Sequence, residues 1–431
     1  MIIKHYNANI PCPVGWTQGF LADFIEESSE RNRARLDLPV YSVTNTRGFV
    51  PQVEQFARNI HSKDTVNYKV FRRGHFGFNP SRINVGSIAL NDVVDAGLLS
   101  PMYVVFVTKD ILHSSYLKHY IETYDFRRNV LNGTAGTVRE SLNFSAFQAF
   151  AFQFPTSRSE QVRIAEILSA VDQTIEQTEA MIAKQQHIKT GLMQDLLTRG
   201  IDEHGNLRSE QTHKFKDSPL GRIPVSWEAR PIEQKLDRII DYRGRTPKKV
   251  EAGIPLLTAK NVREGYLDEA PREFIAEDAF ETWMTRGIPS PGDVLFTTEA
   301  PMGNVARVPH YRIALAQRLL TLCPKRAELS NDYLFWMLHW SRTKERLELL
   351  TSGSTVVGVK QSVFRKVLFR FPELKEQESV TRILNSHDES CANLKRHLEK
   401  LYSIKTAIMQ DLLTGRRRVT SLLSESSEAT A

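Results

Sequence analysis

Arginine, lysine, asparagine and threonine cluster repeatedly beside glycine in this chain, a mixture suited to reading a hydrogen-bonding surface. In the N-terminal half the clusters are Thr44-Asn45-Thr46-Arg47-Gly48, Arg72-Arg73-Gly74-His75, Asn79-Pro80-Ser81-Arg82 and Arg127-Arg128-Asn129. In the C-terminal half they are Tyr242-Arg243-Gly244-Arg245-Thr246-Pro247-Lys248-Lys249, Lys260-Asn261-Val262-Arg263, Gly303-Asn304 and Gln317-Arg318. A guanidinium can donate two parallel bonds to guanine O6 and N7, an amide side chain pairs with adenine, and lysines and hydroxyls hold phosphates. Glycine lets the backbone approach closely. Taken singly, each loop is as readily a solvated turn; their recurrence in both halves favours DNA contact for the set. The candidate contacts are Thr44, Asn45, Arg47, Arg72, Arg73, Asn79, Arg82, Arg127 and Arg128, then Tyr242, Arg243, Arg245, Thr246, Lys248, Lys260, Asn261, Arg263, Asn304 and Arg318.

Bond-making signatures fail on spacing. In Gly353-Ser354-Thr355-Val356-Val357-Gly358-Val359-Lys360-Gln361-Ser362, Val359 separates the second glycine from the lysine, so the phosphate-loop pattern is broken. Ser100-Pro101-Met102-Tyr103 has Met102 where an amino-methyltransferase motif needs a second proline. Pro291-Gly292-Asp293 with Glu299 lacks the lysine of a metal-dependent nuclease core, and neither HExxH nor GxSxG occurs. The expectation is a chain without catalytic residues, metal site or cofactor of its own.

The bulk numbers agree with a polyanionic partner without requiring one. The net charge is +7 and the sequence pI about 9.2, a balance that suits nucleic acid and many basic surfaces alike. The three cysteines, Cys12, Cys323 and Cys391, are far apart and form no CxxC pair, which fits a reducing cytoplasm. The N-terminus does not read as a signal peptide, and no stretch approaches the ~18 apolar residues of a membrane helix.

These loops are positioned by a chain that repeats itself. Glu160–Thr198 matches Glu376–Thr414 at a constant offset of 216 (Glu376 against Glu160). Both copies open with Glu-Gln, carry Ile-Leu and then Asp172 or Asp388, and end in Ile-Lys-Thr followed by Met-Gln-Asp-Leu-Leu-Thr. Upstream, Phe152-Gln153-Phe154-Pro155 answers Phe369-Arg370-Phe371-Pro372, and Pro13-Val14-Gly15-Trp16 answers Pro224-Val225-Ser226-Trp227. The order is therefore domain, helix, domain, helix.

Within each repeat the apolar spacing alternates four and three. It runs Ile164, Leu168, Val171, Ile175, Thr178, Ile182, Gln185 in one and Val380, Leu384, His387, Cys391, Leu394, Leu398, Leu401 in the other. That is an a/d seam in the same register twice. With Leu192 and Ile408, the apolar seam positions are the candidate coiled-coil and partner-binding residues. Each segment reads as a helix of about 40 residues, roughly 60 Å long. A helix with one apolar stripe needs a partner; the other copy is the favoured one, and packing of each helix on its own domain is the alternative. Ser159 is a candidate N-cap. His387, on the stripe, reads as a packed core histidine.

The expected fold class is α+β: two similar mixed α/β domains separated by two long helices. The expected boundaries are 1–154 for the first domain, 155–200 for the first helix, 201–218 for a linker, 219–371 for the second domain, 372–415 for the second helix and 416–431 for a flexible tail.

At this level of detail the chain resembles the specificity subunits of type I restriction–modification systems. The resemblance covers nearly the whole chain. It rests on Gly221-Arg222-Ile223-Pro224-Val225-Ser226-Trp227, Asp241-Tyr242-Arg243-Gly244-Arg245-Thr246-Pro247, Gly292-Asp293-Val294-Leu295-Phe296 with Ala300-Pro301-Met302-Gly303-Asn304, and the repeated helix starts and ends. The first domain departs from the second at Tyr68-Lys69-Val70 and Phe76-Gly77-Phe78-Asn79-Pro80, as two domains reading different half-sites should. The resemblance implies a non-catalytic DNA-binding subunit: two target-recognition domains, each reading half of a bipartite site on double-stranded DNA, with the two long helices forming an antiparallel coiled coil that sets the spacer. It also implies two modification (methyltransferase) subunits docked on the helices and restriction (translocase/nuclease) subunits joining them, with S-adenosylmethionine, ATP and Mg on those partners. The competing reading is a coiled-coil scaffold whose globular ends bind proteins.

Overall fold

The computed structural model describes residues 12–422 except 56–61, 63, 135–140, 243, 245, 271, 300 and 352–357. The chain forms two compact units, Met1–Glu179 with Arg396–Ala431, and Ala180–Lys395.

In the first unit, β1 (Trp16–Phe20) pairs antiparallel with β10 (Ala151–Pro155). A four-stranded sheet has the order β2 (Ile25–Glu27), β9 (Val104–Thr108), β6 (Phe76–Phe78), β7 (Ile88–Leu90). A second has the order β4 (Gly48–Pro51), β3 (Val40–Thr44), β8 (Ala96–Leu99), β5 (Lys69–Arg72), with β3 and β8 parallel. A parallel pair needs cover on both faces, and β3 and β8 accordingly carry near-continuous apolar runs. Gly97 belongs to this packing: a Cβ there would come within 2.5 Å of the Phe71 ring. Much of the core is aromatic, with Phe24 edge-on to Phe154 at 4.8 Å and Phe76 stacked on Phe106 at 4.9 Å.

The second unit repeats the plan. Here β11 (Phe215–Lys216) pairs with β12 (Ile223–Pro224), and β13 (Glu228–Pro231) pairs with β21 (Leu368–Phe371) as β1 does with β10. The order β14 (Leu236–Asp241), β20 (Leu319–Pro324), β17 (Val294–Thr297), β18 (Val305–Arg307) answers β2-β9-β6-β7. The order β16 (Phe274–Ile275), β15 (Ile254–Leu257), β19 (Ala314–Leu315) contains the parallel pair that answers β3–β8. Every residue of β20 is buried, so this central strand shows no alternation. The helices Ser114–Tyr120 and Tyr124–Thr134 of the first unit recur as Asn331–His339 and Ser341–Thr351.

The two long helices span Arg158–Leu196 and Leu374–Leu412, each 39 residues and about 58 Å long. In both units they run antiparallel. In the first, Asp172 meets Lys405 and Glu179 meets Tyr402; in the second, Lys189 meets Asp388 and the main-chain carbonyl of Gln185 meets His387. Ile164, Leu168, Ile175, Thr178, Ile182, Val380, Leu384, Cys391 and Leu401 are buried, and each fully buried Ile or Leu contributes about 1.5–3 kcal/mol. Val171, Leu192, Leu394, Leu398 and Ile408 are half-buried. His387 hydrogen-bonds that Gln185 carbonyl at 2.9 Å and sits in the seam as a packed residue.

The repeated Glu-Gln has a structural purpose. Gln161 accepts from the His113 N–H and donates to the carbonyls of Ile111 and Pro155; Gln377 accepts from Ser330 and donates to Glu328 and Pro372. Each glutamine thereby ties a helix start to its domain. Glu160 is fully buried and takes two bonds from Arg418, while Glu376 takes two from Arg208 and one from the Trp227 indole at 3.1 Å.

Three expectations are corrected. The segment 416–431 is not a loose tail through its described part: Arg418 pairs with Glu160, and Val419 is buried in the first unit's core. The buried carboxylate of Glu160 requires a cation, which holds this segment down. The stretch 201–218 does more than link, since Ile201 is buried, Arg208 holds Glu376, and Phe215–Lys216 forms a strand. The first long helix starts at Arg158, so its cap is Ser157, whose hydroxyl accepts from the Glu160 N–H at 3.4 Å; Ser159 lies inside the first turn. Among the described residues no helix is long and apolar enough to cross a membrane.

Candidate nucleic-acid interface

In the first unit four of the candidates, Thr44, Asn45, Arg47 and Arg127, line one cleft of about 1010 Å³. One wall is the turn between β3 and β4. Thr44 Oγ1 accepts from the Arg47 N–H at 3.0 Å and donates to the Gly48 carbonyl at 3.2 Å, and Gly48 takes φ +61°, where a side chain would be strained. This leaves Asn45, Thr46 and Arg47 exposed at the tip. A second wall is Ile83–Val94, where Arg73 holds the carbonyls of Asp92 (2.6 Å) and Val93 (2.7 Å) and the carboxylate of Asp95. A third is the helix Tyr124–Thr134, contributing Arg127, Val130 and Leu131. Val85, Val93 and Leu131 are exposed apolar groups on the same cleft.

The other candidates of the first domain are distributed differently. Arg82 is exposed with no side-chain partner among the described residues. Arg72 pairs with Glu30 at 2.7 Å and Arg128 with Asp125 at 2.9 Å. Asn79 is buried, its carbonyl oxygen accepting from the Ser81 N–H at 3.0 Å, and it caps a turn.

In the second unit Thr246, Lys248, Lys260 and Arg318 are exposed. Arg318 adopts φ +67° and faces Glu299 at 3.5 Å. Arg263 donates from Nε (3.1 Å) and Nη2 (3.0 Å) to one oxygen of Asp268. A hydrogen bond from the Ala270 N–H and this guanidinium hold the Asp268 carboxyl below its usual range. Three candidates are core groups. The Tyr242 hydroxyl donates to the Gly287 carbonyl and accepts from the Arg286 N–H; burial raises its pKa despite those bonds. Asn261 accepts from the Thr258 N–H and hydroxyl and donates to the Asp268 carbonyl. Asn304 donates to the Val262 carbonyl at 2.9 Å. With Asn79, these residues are corrected from reading groups to structural ones, because a buried amide or phenol must satisfy its bonds internally. Arg243 and Arg245 lie outside the described residues.

Sequence reasoning passed over several residues of the cleft and of the helix surfaces. Lys118, Val85 and Val93 line the first cleft but stand outside the Arg-Asn-Gly clusters. On the long helices the seam residues are covered, Ile164 and Leu168 within the first unit's core and Val380 and Leu384 within the second's, as packing of each helix on its own domain requires for those positions, and Met181, Ile188, Ile383, Tyr402 and Ile404 are the exposed apolar groups. Ile188 and Ile404 hold the same place in the two repeats, a signal already present in the paired Ile-Lys-Thr strings.

Among the described residues one group, His119, Glu122 and Asp172, brings three metal-type ligand atoms within 4.8 Å of one another. Its carboxylates are met by the chain itself, since the Lys405 ammonium lies 2.6 Å from both. Burial lowers the His119 pKa, the neighbouring carboxylates opposing, so the ring is neutral at pH 7.

The type I restriction modification DNA specificity domain matches this chain twice, over residues 14–185 and 235–402. The MjaX protein of Methanocaldococcus jannaschii, assigned as a type I restriction enzyme specificity subunit, is 23% identical over 425 residues, covering 94% of this chain and 95% of its own. The MjaVIII type I restriction enzyme specificity subunit of the same organism is 26% identical over 347 residues, or 79% and 78% of the two chains. Among solved structures, the S subunit of a type I restriction–modification system from M. genitalium has the same fold. Its TM-score is 0.58 at 14% identity, covering 95% of this chain and 98% of that one. A chain from a study of type I R-M complex assembly and conformational transition gives a TM-score of 0.55 at 19% identity, covering 94% and 99%.

Proposed function

The chain belongs to the type I restriction–modification DNA specificity family, and on that premise we propose how this DNA sequence-recognition subunit works: each of its two domains reads one half of a bipartite site. The observation that carries this reading is the duplication. Two domains that share one four-stranded sheet order, β2-β9-β6-β7 and β14-β20-β17-β18, and a parallel strand pair, each bearing a match to the DNA specificity domain, present different side chains from corresponding loops. Equal frames with unequal loops suit an asymmetric target. A scaffold with protein-binding ends would not require the cation and amide groups that gather on the first domain's cleft.

The paired helices act as the ruler between half-sites. A helix resists bending where a flexible linker does not, so spacing and phase are set by helix length. The exposed apolar residues of the long helices are where two modification subunits dock. Those subunits carry S-adenosylmethionine and methylate adenine; restriction subunits that use ATP and Mg join the same complex. This chain contributes no bond-making group and supplies sequence selection.

The test is to map adenine methylation across a genome with and without this chain. The expected result is a two-part motif of fixed spacing that disappears when the chain is deleted; methylation unchanged by its loss would refute the function. Binding of the full chain to DNA should also weaken steeply with salt, in proportion to the phosphates neutralised.

A further inference from the structure

The chain leaving the first strand of the parallel pair makes a short hairpin in the first domain, with Thr44 opposite Gly48, and a longer one in the second, with Val262 opposite Leu267. The parallel strand pairs correspond at an offset of 216, Val40 with Leu98 answering Leu256 with Ala314. At that offset Asn45 answers Asn261 and Arg47 answers Arg263, and at 217 Arg127 answers Lys344 on the matching helix. In the second domain all three are committed internally: Asn261 to Thr258 and the Asp268 carbonyl, Arg263 to the Asp268 carboxylate, and Lys344 to Glu264 at 3.4 Å. In the first domain, Asn45 and the Arg127 guanidinium have no hydrogen-bond partner among the described residues. Among the same residues Arg47 has only Glu54 at 3.7 Å, with both side chains more than half exposed (60% and 58%).

The difference traces to two acids. At the offset of the parallel pair, Tyr41 opposite Pro51 would place Leu257 opposite Leu267, but Leu267 faces Val262 and Pro255 faces Phe274, so the second hairpin is five residues longer; Glu264 and Asp268 lie in that longer hairpin. The first domain therefore lacks the groups that neutralise the turn in the second. Of the three acids on its cleft, Asp92 is taken by Lys118 and Glu122 by Lys405, and Glu176 is exposed. A partner that binds Asn45, Arg47 and Arg127 breaks almost no internal bond, whereas one that binds Arg263 must displace a carboxylate. The exposed Val85, Val93 and Leu131 give the cleft apolar surface of the kind that meets a thymine methyl.

We propose that the first domain reads base edges of its half-site through Asn45 and Arg47 on the β3–β4 turn, with Arg127 holding phosphate. The second domain does not use the corresponding Asn261 and Arg263. Its half-site is met by other groups, of which Lys248, Lys260 and Arg318 are exposed cations. This assignment rests on the function proposed above and adds to it which loop carries specificity and in which domain.

The test selects sequences bound by the full-length chain from a random duplex library. Wild type should enrich a bipartite motif. Asn45→Ala with Arg47→Ala should lose roughly tenfold discrimination at one or more positions of one half, leaving the other half intact. Asn45→Ser with Arg47→Lys carries the same expectation should the alanine variant not fold. Arg127→Ala should lower the salt slope of binding by about one, whereas Lys344→Ala should leave slope and motif unchanged. Both halves unaltered in a folded Asn45/Arg47 variant would overturn this assignment while leaving the bipartite function standing. A wild-type chain that enriches no bipartite motif would remove both.

Discussion

The Lys405 ammonium lies 2.6 Å from a carboxylate oxygen of Asp172, joining the second long helix to the first, and Lys189 repeats the clasp on Asp388 at 2.5 Å. Both pairs occupy equivalent places in the duplicated helix. Their third partners differ, being the Glu122 carboxylate for Lys405 and the Trp336 ring, 4.9 Å from the ammonium, for Lys189. Each clasp also reaches the helix of a globular domain, Glu122 following Ser114–Tyr120 and Trp336 lying in Asn331–His339. One lysine thus fixes the helix pair and the domain beside it together.

Replacing Lys405 with methionine removes the cation from two half-buried carboxylates. The expected loss is about 1–3 kcal/mol, below that of a fully buried pair because Asp172 and Glu122 retain some water. Urea denaturation checks it, and adding Glu122→Gln to Lys405→Met should cost less than the sum of the single changes.

The clasps also set two pH dependences. Burial alone would lower the Lys405 pKa, but Asp172 and Glu122 outweigh it and hold the pKa above the ordinary lysine value. The stability this contributes is complete below the unfolded pKa of about 10.4 and is lost as pH rises through the folded one. His339 is pushed the other way, to about 4, by burial and then by Lys189. The unfolded state binds the extra proton from about pH 6.5 downward, so stability falls by roughly 3 kcal/mol as pH drops from 6.5 to 4. His339→Gln should flatten that acid limb of a stability–pH profile.

Deleting the chain from Arg416 onward should destabilise the first unit by about 2–4 kcal/mol, because it strips the cation from the fully buried Glu160 and uncovers the Val419 site. Glu160→Gln in the shortened chain should recover part of the loss by removing the buried charge. Thermal melts of the three chains decide it; a truncation that melts like the full chain would show Arg418 to be dispensable.

Removing one heptad from each long helix keeps the a/d seam in register and shortens each helix by about 10 Å. The recognised spacer should contract, by about three base pairs at ~3.4 Å each, with both half-site sequences unchanged. Methylation mapping reads both quantities at once, and an unchanged spacer would refute the ruler.

The Glu160–Thr198 and Glu376–Thr414 repeats displayed the long helices, and Ile164, Leu168, Val380 and Leu384 displayed their buried stripe, because a helix repeats its chemistry at fixed intervals along the chain. The strands were less legible. Most of β20 is fully buried, and its residues alternate in no pattern that distinguishes a central strand from another apolar run. The reading groups were the least legible. Asn45 and Asn261 look equivalent in sequence, yet one is exposed and the other buried with every bond satisfied.

By itself the sequence determined that the chain is a duplication of domain and helix with an antiparallel-compatible seam, because those properties depend on residue order and period alone. Tertiary structure decided which polar groups are available. It spent Tyr242, Asn79, Asn261 and Asn304 on internal hydrogen bonds, turned Arg418 inward onto Glu160, and brought Thr44–Gly48, Val85 and Arg127 to one cleft. The physical reason is that a side chain's freedom depends on neighbours distant in sequence, and an acid such as Asp268 can silence an arginine only once the fold places them together.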